Sequence, residues 1–76
     1  MKELIFYIAK KIVENPKDVK IEEIDGERIK ILKLQVAQED IGKLIGRGGK
    51  TIKALRILLS AASLKEGKKF TLEVVS

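Results

Sequence analysis

Residues 44–51, Leu-Ile-Gly-Arg-Gly-Gly-Lys-Thr, place three glycines and two cations in eight positions. Glycine lets the backbone turn tightly and removes the side chains that would hold a ligand away. Arg47 and Lys50 add positive charge at the same place, and Lys53 follows three residues later. If a helix begins just after the glycines, its free N–H groups carry a partial positive charge pointing at the cluster. The chemistry this offers is the cradling of phosphate. Two other uses compete with it: a plain interhelical turn, which needs only one left-handed glycine, and the turn of a DNA-reading helix-turn-helix.

Nucleotide hydrolysis does not fit. A P-loop needs Gly-x-x-x-x-Gly-Lys-Ser/Thr. Gly49-Lys50-Thr51 supplies its end, but Leu44 stands where the opening glycine belongs. The dinucleotide pattern Gly-x-Gly-x-x-Gly fails at its last position, which is Thr51. The chain has no cysteine and no histidine, which excludes disulfides and thiolate zinc sites and removes the usual general base. No nucleophile–base pair or metal cluster is spelled out, so neither an enzyme nor a cofactor is expected.

The charge is unevenly distributed. The net charge is +5, yet residues 1–40 hold eight cations against nine acids. Residues 41–69 hold Lys43, Arg47, Lys50, Lys53, Arg56, Lys65, Lys68 and Lys69 against Glu66 alone. A basic region around a glycine loop points to a phosphate-bearing partner. With 45% hydrophobic residues and no apolar run near the ~18 residues of a membrane span, the expectation is one soluble, cytoplasmic domain without membrane insertion.

The elements that would hold the loop follow from periodicity. Leu4, Ile5, Ile8, Ile12 and Val13 recur at helical spacing until Asn15-Pro16 stops the helix. Val19 to Ile24 alternates as a strand, and Asp25–Arg28 reads as a four-residue hairpin loop. Ile29–Ala37 is the longest strand, with Leu32, Leu34 and Val36 on one face. Ile29 and Ile31 fall out of phase with that set, which predicts a bulge or burial on both faces. A short helix over 41–45 leads into the glycines, and a long one runs from about Lys50 to Lys65, with Gly67 as its C-terminal cap. Phe70, Leu72 and Val74 alternate in a last strand. The order is α-β-β-α-α-β. It predicts an α+β domain whose three-stranded mixed sheet is covered by helices on one face. Ile29–Ala37 would be central, antiparallel to 19–24 and parallel to the last strand.

The full motif, apolar-Ile-Gly-x-x-Gly-x-x-apolar, runs Leu44-Ile45-Gly46-Arg47-Gly48-Gly49-Lys50-Thr51-Ile52 between a short helix and a long one. In that setting it resembles the KH domain of RNA-binding proteins, whose Gly-x-x-Gly loop clamps about four backbone nucleotides. The helix-first order resembles the type II, prokaryotic form, as a single domain over residues 1–76. A stand-alone domain of this length is similar to small bacterial single-KH-domain RNA-binding proteins. The resemblance implies single-stranded RNA as partner, bound by Ile45, Gly46, Arg47, Gly48, Gly49, Lys50 and Lys53. It also implies an apolar floor for the bases beside the loop, here Ile41 with Leu34 and Val36 of the central strand. Ile45, Ile52, Leu55 and Leu59 are read as core residues that also shape that floor. At the level of the cell it implies an RNA chaperone or post-transcriptional regulator affecting cell-wall synthesis, cell length and division. Phe6, Tyr7 and Phe70 are the only aromatics, none near the loop in sequence, so modest affinity, weak sequence preference and marked salt sensitivity are expected.

The long helix carries a second apolar set. Ile52, Leu55, Leu59 and Ala62 fall within about 80° and should face the sheet. Ala54, Ile57, Leu58 and Ala61 lie on another arc, which is either packed by the domain's own first helix or is a surface for self-association. The resemblance favours the interface, as a homodimer or a heterodimer with a second KH protein, with Leu58 the most sensitive position. A helix-turn-helix DNA binder remains an alternative, although the long helix lacks an Asn, Gln or Arg set spaced to read base edges. A protein-only interaction module is the other.

Overall fold

The structure, a computed structural model, describes all residues 1–76. Helix α1 spans Lys2–Ile12, with Glu3 in its first turn and Lys10 and Lys11 in its last, each placed to suit the helix dipole. It buries Ile5 and Ala9. Val13 is already extended at φ −83°, ψ 159°, so α1 stops earlier than Pro16 alone demands. Pro16–Asp18 forms a single 3-10 turn before strand β1, Lys20–Asp25. Strand β2, Ile29–Gln35, pairs antiparallel with β1, and strand β3, Lys69–Val75, pairs parallel with β2. The sheet order is β1-β2-β3, with β2 central as expected.

The hairpin loop has three residues, Gly26–Arg28, and is closed by the Gly26 N–H donating to the Ile29 carbonyl at 2.8 Å. The β1–β2 register runs unbroken from Lys20↔Gln35 to Asp25↔Lys30, so the expected bulge is absent. Two-sided burial is absent as well. Ile29 and Ile24 are exposed, and Ile31, cross-strand from Ile24, is half-buried, because no helix covers that face. On the other face, Leu32, Leu34, Phe70 and Leu72 are buried beneath the helices.

Helix α2 is one short turn, Ile41–Ile45, and helix α3 spans Lys50–Glu66. Helix α3 buries Ile52, Leu55, Leu59 and Ala62, the four residues its periodicity assigned to the core. It ends at Gly67, which is left-handed at φ 66° and donates its N–H to the Ser63 carbonyl at 2.9 Å. Ser63 Oγ accepts the Phe70 N–H at 2.8 Å and donates to the Leu59 carbonyl at 3.0 Å, fixing the start of β3 to α3. Leu32, Leu34, Leu44 and Leu59 are wholly or almost wholly buried, each contributing about 2 kcal/mol relative to exposure. This core holds α2 and α3 at the angle between which the glycine loop lies.

Candidate nucleic-acid interface

The loop is set by α2, whose inward residue Leu44 has no exposed surface. One residue on, Ile45 points outward and is 40% exposed. The core role expected for Ile45 therefore belongs to Leu44, and Ile45 is free to touch a ligand beside the loop. Gly46 then takes φ 82°, ψ 166°, a region that only glycine enters readily. It also lies against α3: a Cβ at Gly46 would sit 2.3 Å from Thr51 Oγ1 and 2.8 Å from both Thr51 Cβ and its backbone nitrogen. Gly48 and Gly49 are left-handed at φ 65° and 76°, but a Cβ at either would meet open space. So Gly46 is required by packing and conformation, whereas the other two serve the chain's direction and leave the loop's outer side bare.

The turn Arg47–Gly49 is tightened by the Gly49 N–H donating to the Gly46 carbonyl at 3.0 Å. Helix α3 starts directly behind it, and no side chain caps that start. Arg47, Lys50, Lys53 and Arg56 are all exposed. The three ion pairs of the structure, Lys30–Glu23, Lys43–Glu14 and Lys68–Asp25, involve none of them. Their charges are thus uncompensated, on the side of the molecule where the helix dipole is also positive. Lys43 differs: its hydrogen bond to Glu14, at 2.8 Å, and that carboxylate's charge raise its pKa. The arrangement can hold two or three phosphates of a chain, with the backbone close to one of them.

The floor expected for bases is partly displaced. Leu34 and Val36 are 0% and 2% exposed, sealed under the helices, and have no surface to offer a ligand. Ile41 is half-buried and Ile45 exposed, so the apolar part of the surface is on α2. A hollow of about 300 Å³ opens between α3 and β3, lined by Arg56, Leu59, Ser60, Phe70, Thr71 and Leu72. Arg56, already counted in the sequence among the basic residues around the loop, continues the series Lys50, Lys53 along α3, and Ser60 is exposed beside the hollow.

The KhpA/KhpB, KH domain family matches residues 2–74. The chain belongs to this family of KH domains. Among KhpA relatives, the RNA-binding protein KhpA of Clostridium perfringens is 47% identical over 75 residues, covering 99% of this chain and 100% of the relative. The RNA-binding protein KhpA of Chlamydia pneumoniae is 43% identical over 75 residues, covering 99% of this chain and 96% of the relative. That of Treponema pallidum is 44% identical over 73 residues, covering 96% and 91%. No solved structure matches the chain. The element order and mixed sheet are those of a type II KH fold.

The second arc of α3 is open to solvent. Ile57 is 69% exposed, Ala54 and Ala61 are exposed, and Leu58 is half-buried on the flank. Leu64, three residues beyond Ala61, is 88% exposed and extends the stripe by a turn. Ile57 and Leu64, rather than Leu58, therefore form its most prominent part. No helix of the structure is long and apolar enough to cross a membrane.

Proposed function

We propose that this KH domain binds single-stranded RNA through the Gly46–Gly49 loop. Gly46 and Arg47 would bring the backbone to a phosphate, Lys50 and Lys53 would neutralise its neighbours, and Ile45 and Ile41 would face the bases. The observation that carries the reading is the combination at the loop: a glycine-only backbone packed on Thr51, an uncapped helix start, and four unpaired cations. The names of the KhpA relatives support RNA as the ligand. A helix-turn-helix role is disfavoured because the helix ahead of the turn has only five residues and packs in a sheet-bearing domain. The domain acts by binding, not catalysis. In the cell the same kinship fits an RNA chaperone or post-transcriptional regulator bearing on cell-wall homeostasis and cell length. Titrating one labelled single-stranded RNA and one DNA duplex under the same salt tests the ligand. Tighter binding of the RNA is expected, and a clear preference for the duplex overturns the reading.

The α3 stripe supports a second element of the function, self-association. Ala54, Ile57, Leu58 and Ala61 form a small-large-large-small series that reads the same in both directions. An isologous antiparallel helix pair, in which residue i of one copy meets j of the other and j meets i, suits such a series because small residues and large ones then fall at matching distances from the two-fold axis. The two alanines let the helices approach, and Ile57 with Leu58 fill the crossing. A dimer would carry two loops and gain avidity on one RNA chain. A heterodimer with a KhpB-like KH protein would use the same stripe.

A further inference from the structure

Asp40 is the one polar side chain among the fully buried residues, and phosphate binding at the loop gives it no task. It occupies the N-cap position of α2, yet it makes no capping bond to its own helix. Its two oxygens are turned toward the end of α1 instead. Oδ1 accepts the Glu14 N–H at 3.1 Å, and Oδ2 accepts the Asn15 N–H at 3.0 Å and Asn15 Nδ2 at 2.9 Å. Two contacts on the rim join the same pieces: Asn15 Nδ2 to Glu39 at 2.8 Å and Lys43 to Glu14 at 2.8 Å. Both of these are exposed and screened by water, so the buried carboxylate is the stronger part of the joint.

We infer that Asp40 is a positioning residue for the loop, through which the turn after α1 holds α2 and the Gly46–Gly49 turn in the pose that meets phosphate. The inference rests on the loop being the RNA site. Helix α2 has five residues, too few to be stable alone, so its orientation comes from the burial of Leu44 and from what holds its two ends. Its far end runs straight into Gly46, which has no slack against Thr51. Releasing the near end therefore lets α2 tilt and changes where Arg47 and the start of α3 stand relative to each other. A carboxylate is needed at 40 because both oxygens face donors. Asparagine would offer one acceptor and set its own NH₂ against a backbone N–H, leaving a buried donor unpaired.

The test compares Asp40→Asn and Asn15→Ala with Ile5→Val, a core change on α1 away from the joint. Amide exchange at residues 46–50 and affinity for a single-stranded RNA are read on each intact, folded protein. If only a fifth of the loop population keeps the binding pose, affinity falls about fivefold. That loss, with faster exchange at 46–50 than Ile5→Val shows, is expected for Asp40→Asn and, more weakly, for Asn15→Ala. If Asp40→Asn does not fold, Asn15→Ala against Ile5→Val decides alone. Loop exchange and RNA affinity that match Ile5→Val overturn the inference. Arg47→Asp is measured alongside: if it binds RNA like the wild type, the RNA reading fails, while the exchange data still decide whether Asp40 positions the loop.

Discussion

Replacing Gly46 with alanine probes the loop where the structure is most specific. The backbone there, φ 82° and ψ 166°, costs an L-residue about 1–3 kcal/mol. The added Cβ would also be driven to 2.3 Å from Thr51 Oγ1 and 2.8 Å from Thr51 Cβ and N, and overpacking of this kind costs about 1–3 kcal/mol more. The sum is about 4 kcal/mol. For 76 residues a typical total stability is about 4–11 kcal/mol, so the variant should lose between about a third and all of it. Gly48→Ala and Gly49→Ala meet no neighbour and pay only the left-handed conformation, about 1–2 kcal/mol each. At about 4–8 °C per kcal/mol for a domain of this size, Gly46→Ala should melt at least about 8 °C below either of them. Thermal melts and urea titrations followed by circular dichroism measure this directly. Adding Thr51→Ala should restore only part of the loss, because alanine keeps the Cβ that lies 2.8 Å away. Equal melting temperatures for the Gly46 and Gly48 variants would refute the account of why the loop opens with glycine.

Three further outcomes are expected. With Arg47, Lys50 and Lys53 as phosphate contacts, the slope of log affinity against log salt should be about −2, and Lys53→Ala should flatten it by about 0.7, as fluorescence anisotropy over a salt series will show. Sedimentation of the wild type should show a dimer that Ile57→Lys or Leu58→Lys converts to a folded monomer with weaker RNA binding; a wild type that stays monomeric at high concentration removes the interface. Burial raises the pKa of Asp40, but the Asn15 side chain, the N–H groups of Glu14 and Asn15, and Lys43 bring it below the ordinary aspartate value. A depressed carboxylate stabilises the fold above its unfolded pKa of about 3.9 and loses that contribution as pH falls through the folded value. The stability gap between wild type and Asp40→Asn, read from urea midpoints, should therefore be constant near neutrality and shrink below about pH 4.

Much of this architecture was written in the sequence because local rules and packing agree in it. Leu32, Leu34, Phe70 and Leu72 alternate and are buried on one face, and Ile52, Leu55, Leu59 and Ala62 repeat at helical spacing and face the sheet. Gly67 ends α3 where a left-handed residue is needed. What was less legible depends on partners distant in sequence. Ile29 and Ile31 are as apolar as core residues, but their face of the sheet has no helix above it, and residue type alone does not reveal a missing neighbour. Ile45 and Leu44 are adjacent and chemically alike, and only the rotation of a five-residue helix decides which is buried. The sequence marks Leu34 and Val36 as an apolar face that a ligand could use, but the domain's own helices cover that face. Asp40 reads locally as a first-turn acid, whereas its partners lie 25 and 26 residues away.

The central claim is that the loop clamps RNA phosphates, and the double variant Arg47→Asp, Gly48→Asp tests it most directly. It removes one charge-assisted contact and points two carboxylates at the phosphate, a loss of about 3 kcal/mol, or about a hundredfold in affinity. The loop is exposed, and aspartate tolerates the left-handed backbone of Gly48 better than most residues, so the fold should survive with its helix content intact. Binding of a single-stranded RNA, measured well below the melting temperature, should be lost or reduced by about that factor. A folded double variant that binds as tightly as the wild type would contradict the account.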